Sequence, residues 1–496
     1  MMKQQSFMIL GLLTACLSAW STQLHGQNET DVFRYSFTES LGSTRTMGMG
    51  GAFGALGADL ACLTGNPAGI GLYRRGDASL TTGFASQKTR LNVSGQFGDA
   101  NQISGSTTNL GIALTYPSVN PDWPVSTLAI SVSRRANFNE KIEIEDALLG
   151  NSLLDVFLGQ AQGSLPGDLY TTGPFTSNLA WETFLLDPNP NGNPTSYVSA
   201  IPSGGAYATK KIERSGKLNE TNIAFGSNYR ERLCLGISLG IVNATFDETA
   251  IHSERPQIDT LQLNTWEFQE RLNVEGSGLN VKLGMQYALS PWLRMGLAYH
   301  TRTRIAFTDE YSTNMRSELK SGESYDYNSP LNRLEYVIYT PSRAMASLAF
   351  IMGKYGVISA DYERVNYGSG NLRPTALSGP DAYKFENENE TMASLYGLSH
   401  CARVGAEIRI QRAWRLRAGA GLETSPYQPA AEIQTDSKRY TGSVGFGYRT
   451  EKWYASSTYR RSQFQRDIYL FDPELLDAGR MRQTHGMLVA AFGFRL

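Results

Sequence analysis

The sequence predicts an all-β fold: a transmembrane antiparallel β-barrel of about fourteen strands, with a helical external loop. Three observations predict it. From Asp77 onward, apolar residues recur at every second position in segment after segment. Short connections between these segments alternate with long ones. Beyond the N-terminal leader, no window approaches the roughly 18 apolar residues of a membrane helix, so a membrane-embedded form of this chain has to be a closed barrel.

The leader comes first. Lys3 supplies a positive end, "FMILGLLTACLSAW" an apolar core, and small residues lead to a cleavage point near Gly26–Gln27. Residues 1–26 therefore read as a signal peptide. Leu13-Thr14-Ala15-Cys16 also matches a lipoprotein cleavage box, and the choice between signal peptidase I and lipoprotein processing at Cys16 stays open. Either route exports the chain. Cys62, Cys234 and Cys401 remain after the leader. Their spacing makes neither a disulfide framework nor a metal site, and they read as small apolar residues.

Composition agrees with export and with strands. The formal net charge is -1, and 25 Tyr and 49 Gly accompany a modest 18% of charged residues. Tyr, Gly, Ser and Thr at this level suit strands better than helices. No basic tract with interleaved aromatics is present, so nucleic acid is not an expected partner.

The barrel, residues 77–496, rests on period-two alternation. In "GLNVKLGMQYAL", Leu279, Val281, Leu283, Met285 and Tyr287 share one face, and Asn280, Lys282, Gly284 and Gln286 the other. The segments lie near 77–88, 106–116, 124–138, 219–230, 232–247, 264–289, 292–307, 336–352, 355–367, 391–410, 413–424, 439–450, 452–466 and 484–496. An even number suits a bacterial outer-membrane barrel with both ends in the periplasm. "SNYRERL", "LSPWLR", "GKYG", "IQRAW" and "RTEKW" read as short turns. Long loops are expected near 139–219, 308–335, 368–390, 425–438 and 467–483. Arg or Lys facing lipid near the midplane costs roughly 2–4 kcal/mol. Arg403, Glu407 and Arg409, which share a face of "CARVGAEIRI", must then face the lumen. Tyr and Trp near segment ends supply candidate interfacial girdles.

Between leader and first strand lie residues 27–76, expected to form the hatch. "MGMGGAFGALGADLACLTGNPAGIG" is crowded with Gly and Ala but does not meet the GxGxxG spacing, and no βαβ unit follows. Small residues instead permit tight turns and close backbone approach inside a filled lumen. This run resembles the N-terminal signature of the FadL-type outer-membrane transport proteins, with Asn66, Pro67, Ala68 and Gly69 on the Asn-Pro-Ala motif and Asp59 where an acid is usual. "TPSRAMASLAFIMGKYGVISADYERVNY" and the closing "GMLVAAFGFRL" are similar to the family as well. The resemblance implies a fourteen-stranded barrel with an internal hatch. It also implies passive uptake of hydrophobic molecules such as long-chain fatty acids, without an energy-coupling domain. Family members with a sideways exit open the wall at an inward kink of the third strand. Here the third segment, "VSTLAISVSRRANF", has no Gly or Pro to favour one.

The longest loop, 139–219, carries helical spacing in Leu149, Leu153, Phe157 and Leu158, and in Trp181, Phe184 and Leu185. Two readings stand side by side: an apolar landing groove for a ligand through Leu153, Phe157, Trp181 and Phe184, or a cap burying its own apolar face. A carboxylate-bearing ligand would need a lumen cation, and Arg343, Arg403 and Arg417 are the candidates. The alternative is that these pair with lumen acids such as Asp361, Glu363 and Glu407. His252, His300, His400 and His485 are scattered, and no GxSxG elbow appears. Neither an enzyme, a metal site nor a cofactor is expected. The expected protein is thus a monomeric channel of the cell outer membrane of a Gram-negative-type envelope, its N-terminus periplasmic. Its partners are a hydrophobic small-molecule ligand and outer-membrane lipid. A scaffold or shuttle for secretion machinery, or a polar porin, are the alternatives, and the cargo itself stays open.

Overall fold

In the computed structural model the alternation turns the protein inside out. Leu279 and Leu283 are 56% and 48% exposed on the outer wall, while Lys282 and Gln286 beside them are buried at 2% and 1%. The same division holds where the sequence placed it in "CARVGAEIRI": Val404 and Ile408 are exposed and Glu407 is buried. Outward apolar and inward polar side chains are the pattern of a barrel in lipid. The structure describes residues 29–496 except 94, 202–204, 259–260, 376–378, 380–382, 412, 432–434 and 472–477. The leader assigned to residues 1–26 lies outside the described residues.

Fourteen antiparallel strands form the ring. They are β1 Asp77–Val93, β2 Gln96–Pro117, β3 Val125–Asn137 continued as Glu140–Leu149, β4 Ala206–Tyr229, β5 Leu233–Pro256, β6 Leu263–Ser290, and β7 Leu293–His300 continued as Arg304–Leu319. β8 is Asn332–Tyr339 continued as Arg343–Ile351, and the rest are β9 Gly356–Asn366, β10 Leu398–Ile410, β11 Trp414–Glu423, β12 Arg439–Arg449, β13 Trp453–Ile468 and β14 Gly479–Arg495. The last strand pairs with the first from Asp77↔Arg495 to Asn92↔Arg480, which closes the sheet into a ring. One rim, the turn end, carries the tight connections at 230–232, 291–292, 352–355 and 450–452. The other rim is the loop end.

The strands overrun the sequence-based boundaries at the loop end. The stretch 308–335, expected as a loop, is mostly strand: β7 runs to Leu319, Ser324–Asn328 folds back on it, and β8 begins at Asn332. The expected loop 139–219 shrinks to 150–205, because its ends pair as Glu140↔Arg214 through Leu149↔Ala206. Alternation is weaker above the lipid, where both strand faces meet water or protein, so these ends gave no period-two signal.

The N-terminal segment, expected from the sequence to act as the hatch, folds inside the ring. It begins with helix α1, Glu29–Ser36, and a five-residue helix α2, Thr44–Gly48, followed by two 3-10 turns, Leu60–Leu63 and Pro67–Leu72. Helix α3, Leu153–Ala161, α4, Leu169–Thr172, and α5, Ser177–Glu182, make the cap in the long loop. Residues 386–395 form helix α6, Glu386–Leu395, where the sequence analysis began a strand at 391. Met392 and Tyr396 lie at helical spacing and bury against α1 and the loop-end wall. A short apolar run of this kind fits either period, and packing decided it. No described helix is long and apolar enough to cross a membrane.

Candidate functional site

The hatch is seated by its own backbone. Asp59 caps the first 3-10 turn, accepting from Ala61 N at 2.9 Å and from Ser43 Oγ at 2.9 Å. Asn66 caps the second through Ala68 N at 3.1 Å, with Pro67 at its first position. The Asn66 amide also donates to Gly54 O at 2.7 Å and to Met285 O of β6 at 3.1 Å. The Asn-Pro-Ala-Gly turn lies directly on the wall. A β-carbon at Gly236 would sit 2.4 Å from the Pro67 carbonyl, and one at Gly284 2.1 Å from Asn66 Oδ1. These wall glycines are what allow the hatch backbone to approach so closely.

Polar side chains of the wall complete the seat. Asp361 accepts from Phe53 N and Gly54 N at 2.9 Å each, and Gln286 donates to Leu56 O at 2.6 Å. Arg45 pairs with Glu407 at 3.0 Å, and Glu39 with Arg460 at 2.6 Å. Burial by itself raises the Glu39 pKa. The Arg460 guanidinium and the His485 ring overcome that and hold it well below the usual carboxylate range.

Above the hatch the wall bends. β2 pairs with β1 from Gln96 to Ala113, yet with β3 only from Asn109↔Ser133 to Pro117↔Val125. Residues 96–108 therefore have a ladder on one side only. On β3 the register slips between Arg134 and Ala136, and the strand is interrupted at Phe138 and Asn139. The third segment lacks Gly and Pro, but it bends all the same. The device lies on the neighbouring strand: Gly216 of β4 has φ +139°, accepts from Phe138 N at 3.1 Å and donates to Asn139 Oδ1 at 3.2 Å. Reading one segment at a time missed it. The glycine in "KIERSGKLNE" was the available signal.

A cavity of about 270 Å³ lies between α1 and this bend. Phe33 and Phe37 of the hatch, Phe138 beside the bend, and Phe464 of β13 give it apolar walls. Arg439 of β12 crosses it, with its guanidinium 4.3 Å from the Phe37 ring and 3.9 Å from the Phe464 ring. Arg439 Nη1 is buried and has no hydrogen-bond partner, and the nearest carboxylate oxygen, on Glu423, is 4.0 Å from Nε. An arginine held between two rings with a free donor can receive a carboxylate.

The candidates named from sequence fall elsewhere. Arg343 and Arg403 share Glu363, at 2.8 and 2.7 Å, and Arg343 also reaches Ser36 O. Arg417 lies towards the turn end and pairs with Glu407 at 2.9 Å. Arg343 thus ties the hatch to the wall, while Arg403 and Arg417 are each held by a wall acid, although Arg417 Nη1 is itself buried without a partner; Arg439, at the loop end of its strand, was not singled out by its sequence context. Leu153 and Phe157 are buried and Trp181 half-buried in one cluster with Trp266, Phe268 and Met315 of the wall. Phe184 is exposed and stacks near Tyr325 at 4.6 Å. The cap therefore buries its apolar face on the rim. Among the described residues no group of His, Cys, Asp and Glu is placed to hold a metal ion.

No protein-family model matches the sequence, and no curated protein matches it. Solved structures do match in shape. A FadL homologue from Pseudomonas aeruginosa superposes with a TM-score of 0.54 at 14% identity, covering 93% of this chain and 99% of that one. The P. putida toluene transporter TodX gives 0.52 at 13% identity, covering 93% and 99%. The CymD monoaromatic hydrocarbon channel gives 0.51 at 11% identity, covering 92% and 97%. Together with the closed fourteen-strand ring and the hatch within it, these likenesses identify the fold as that of the FadL-type outer-membrane barrels.

Proposed function

We propose that this chain lets hydrophobic small molecules pass an outer membrane, receiving them at the loop end and releasing them sideways at the bend of β3. The reading is supported most by one observation: an aromatic-walled cavity that abuts the stretch where β2 and β3 lose their ladder. A molecule there meets rings on the hatch side and, on the other, the part of β3 that has left its ladder with β2. Passage through the lumen to the turn end would have to break the hatch seat, with its ion pairs and hydrogen bonds.

The free donor of Arg439 favours amphiphiles with a carboxylate, long-chain fatty acids among them, over uncharged aromatic hydrocarbons of the kind that the structural neighbours' names record. The orientation that goes with this places the turn end and the hatch entrance in the periplasm. The test is uptake of labelled long-chain fatty acid and of labelled toluene by cells with and without the gene. Uptake of the acid should depend on the gene. Equal uptake of both compounds in the two strains sinks the reading.

A further inference from the structure

The outer wall carries a second chemistry just above its apolar belt. On β13, β14 and β1, Tyr459, Leu488 and Phe84 are exposed and aligned in one cross-strand row. Following the same outward faces toward the loop end, the next rows bring Arg461, then Lys88, then Arg482 beside Arg90, then Arg480, all exposed. Rows are two residues apart. At ~3.3 Å per residue and a tilt of roughly 40°, each row rises about 5 Å. The cations therefore stand at about 5, 10, 15 and 20 Å above the Tyr459–Leu488–Phe84 row.

Protein partners neutralise this face only in part. Arg90 pairs with Asp99 at 3.2 Å, both about 60% exposed, and Asp467 lies opposite Arg480 in the register. Arg482 has no carboxylate partner among the described residues. With its amide oxygen turned toward Arg482, Gln463 accepts from Nε and Nη2 at 2.9 and 2.6 Å, which supplies no counter-charge. Arg90 and Arg482 lie directly opposite one another, and like charges so placed are unfavourable unless an anion sits between them.

A glycerophospholipid places its phosphate within about 5–7 Å of the hydrocarbon edge. It could reach Arg461 but not the Arg90–Arg482 row. We propose that this face binds a phosphorylated glycolipid, whose extended headgroup bears anions at more than one height. The site rests on the barrel's seat in lipid and not on its cargo, so it stands or falls independently of the uptake experiment.

The experiment uses the full-length mature barrel in phosphatidylcholine nanodiscs. Three additions are compared: core-bearing lipopolysaccharide, phosphatidylglycerol and inorganic phosphate. Bound lipid is read by native mass spectrometry and stability by thermal melting. Lipopolysaccharide should bind and raise the melting temperature, and phosphatidylglycerol and phosphate should not match it. Arg90→Gln with Arg482→Gln should weaken lipopolysaccharide binding at least about ten-fold, given a surface cation's usual attraction to anionic lipid. Ala346→Ser on the outward face of β8, a neutral surface change away from this row of cations, is the control for handling and folding. The proposal is overturned if phosphatidylglycerol or phosphate gives the same gain, or if the double variant binds lipopolysaccharide like the parent.

Discussion

Asn66 and Gly284 fit as plug and socket: the Asn66 side chain reaches past the bare α-carbon of Gly284 to the carbonyl of Met285, 3.1 Å away. Asn66→Ala with Pro67→Ala removes three hydrogen bonds at the hatch seat, each worth about 1 kcal/mol net. The variant should keep the heat-modifiable mobility of a folded barrel and show altered single-channel conductance or uptake. Gly284→Val should do the same from the wall side with the hatch sequence intact. Unchanged conductance in both would show that the turn does not anchor the hatch.

Gly216 sets the bend. Its positive φ disfavours any side chain, and a β-carbon would lie 2.2 Å from Thr245 O. Gly216→Ala should cost roughly 1–2 kcal/mol at the bend and lower ligand uptake while the barrel still folds. Wild-type uptake rates in that variant would exclude the bend as the exit.

Arg439 separates acids from hydrocarbons. Arg439→Gln should reduce uptake of a long-chain fatty acid by about ten-fold or more, the loss of one charge-assisted hydrogen bond, and leave toluene uptake within about two-fold. Equal losses for the two cargoes would point to packing and not to charge.

The Glu39 tether has a defined pH window. Its carboxylate has a depressed pKa in the folded protein, so its contribution is present above the ordinary carboxylate value of about 4.3 and is lost as pH falls through the folded value. Conductance should therefore stay flat from neutral pH down to about 4 and rise only in stronger acid. Glu39→Gln should show the raised conductance already at neutral pH. A transition near pH 6 in the parent would assign the tether to another group.

Glu254 holds the cap. It accepts from Ser152 Oγ, from Leu153 N at 2.8 Å and from Trp266 Nε1 at 3.2 Å, and lies 2.8 Å from His252 Nε2. Glu254→Ala leaves those donors buried without an acceptor and should destabilise the cap by about 2–4 kcal/mol. Limited proteolysis should then cut within 150–205 well before the barrel melts. Resistance equal to the parent would mean that the apolar cluster alone secures the loop.

Much of the fold was legible because the lipid-facing part of each strand obeys a rule with period two. Val404 and Ile408 could be assigned outward, and Glu407 inward, from the cost of charge in lipid alone. The upper halves of β3, β4 and β7 were not legible, since no lipid constrains their outward faces. The region from Thr391 misled because a few apolar residues satisfy the helical and the strand period equally well.

The candidate site was half legible. The small-residue run marked the hatch, and the Asn66 turn was found in it, because both depend on local backbone chemistry. Which cation is left free was not, because Arg343, Arg403, Arg417 and Arg439 all face inward by the same parity rule.

By itself, then, the sequence determined the barrel and its inside and outside, since both follow from spacing along the chain and the cost of exposing a charge or a peptide group to lipid. Only the tertiary structure decided where the wall bends and which arginine is held between two rings with a donor left over. Both depend on what lies across the sheet or the lumen: Gly216 beside Phe138, Glu363 between Arg343 and Arg403, and two rings around Arg439. Such neighbours are tens to hundreds of residues apart in the chain, and closure of the ring brings them together.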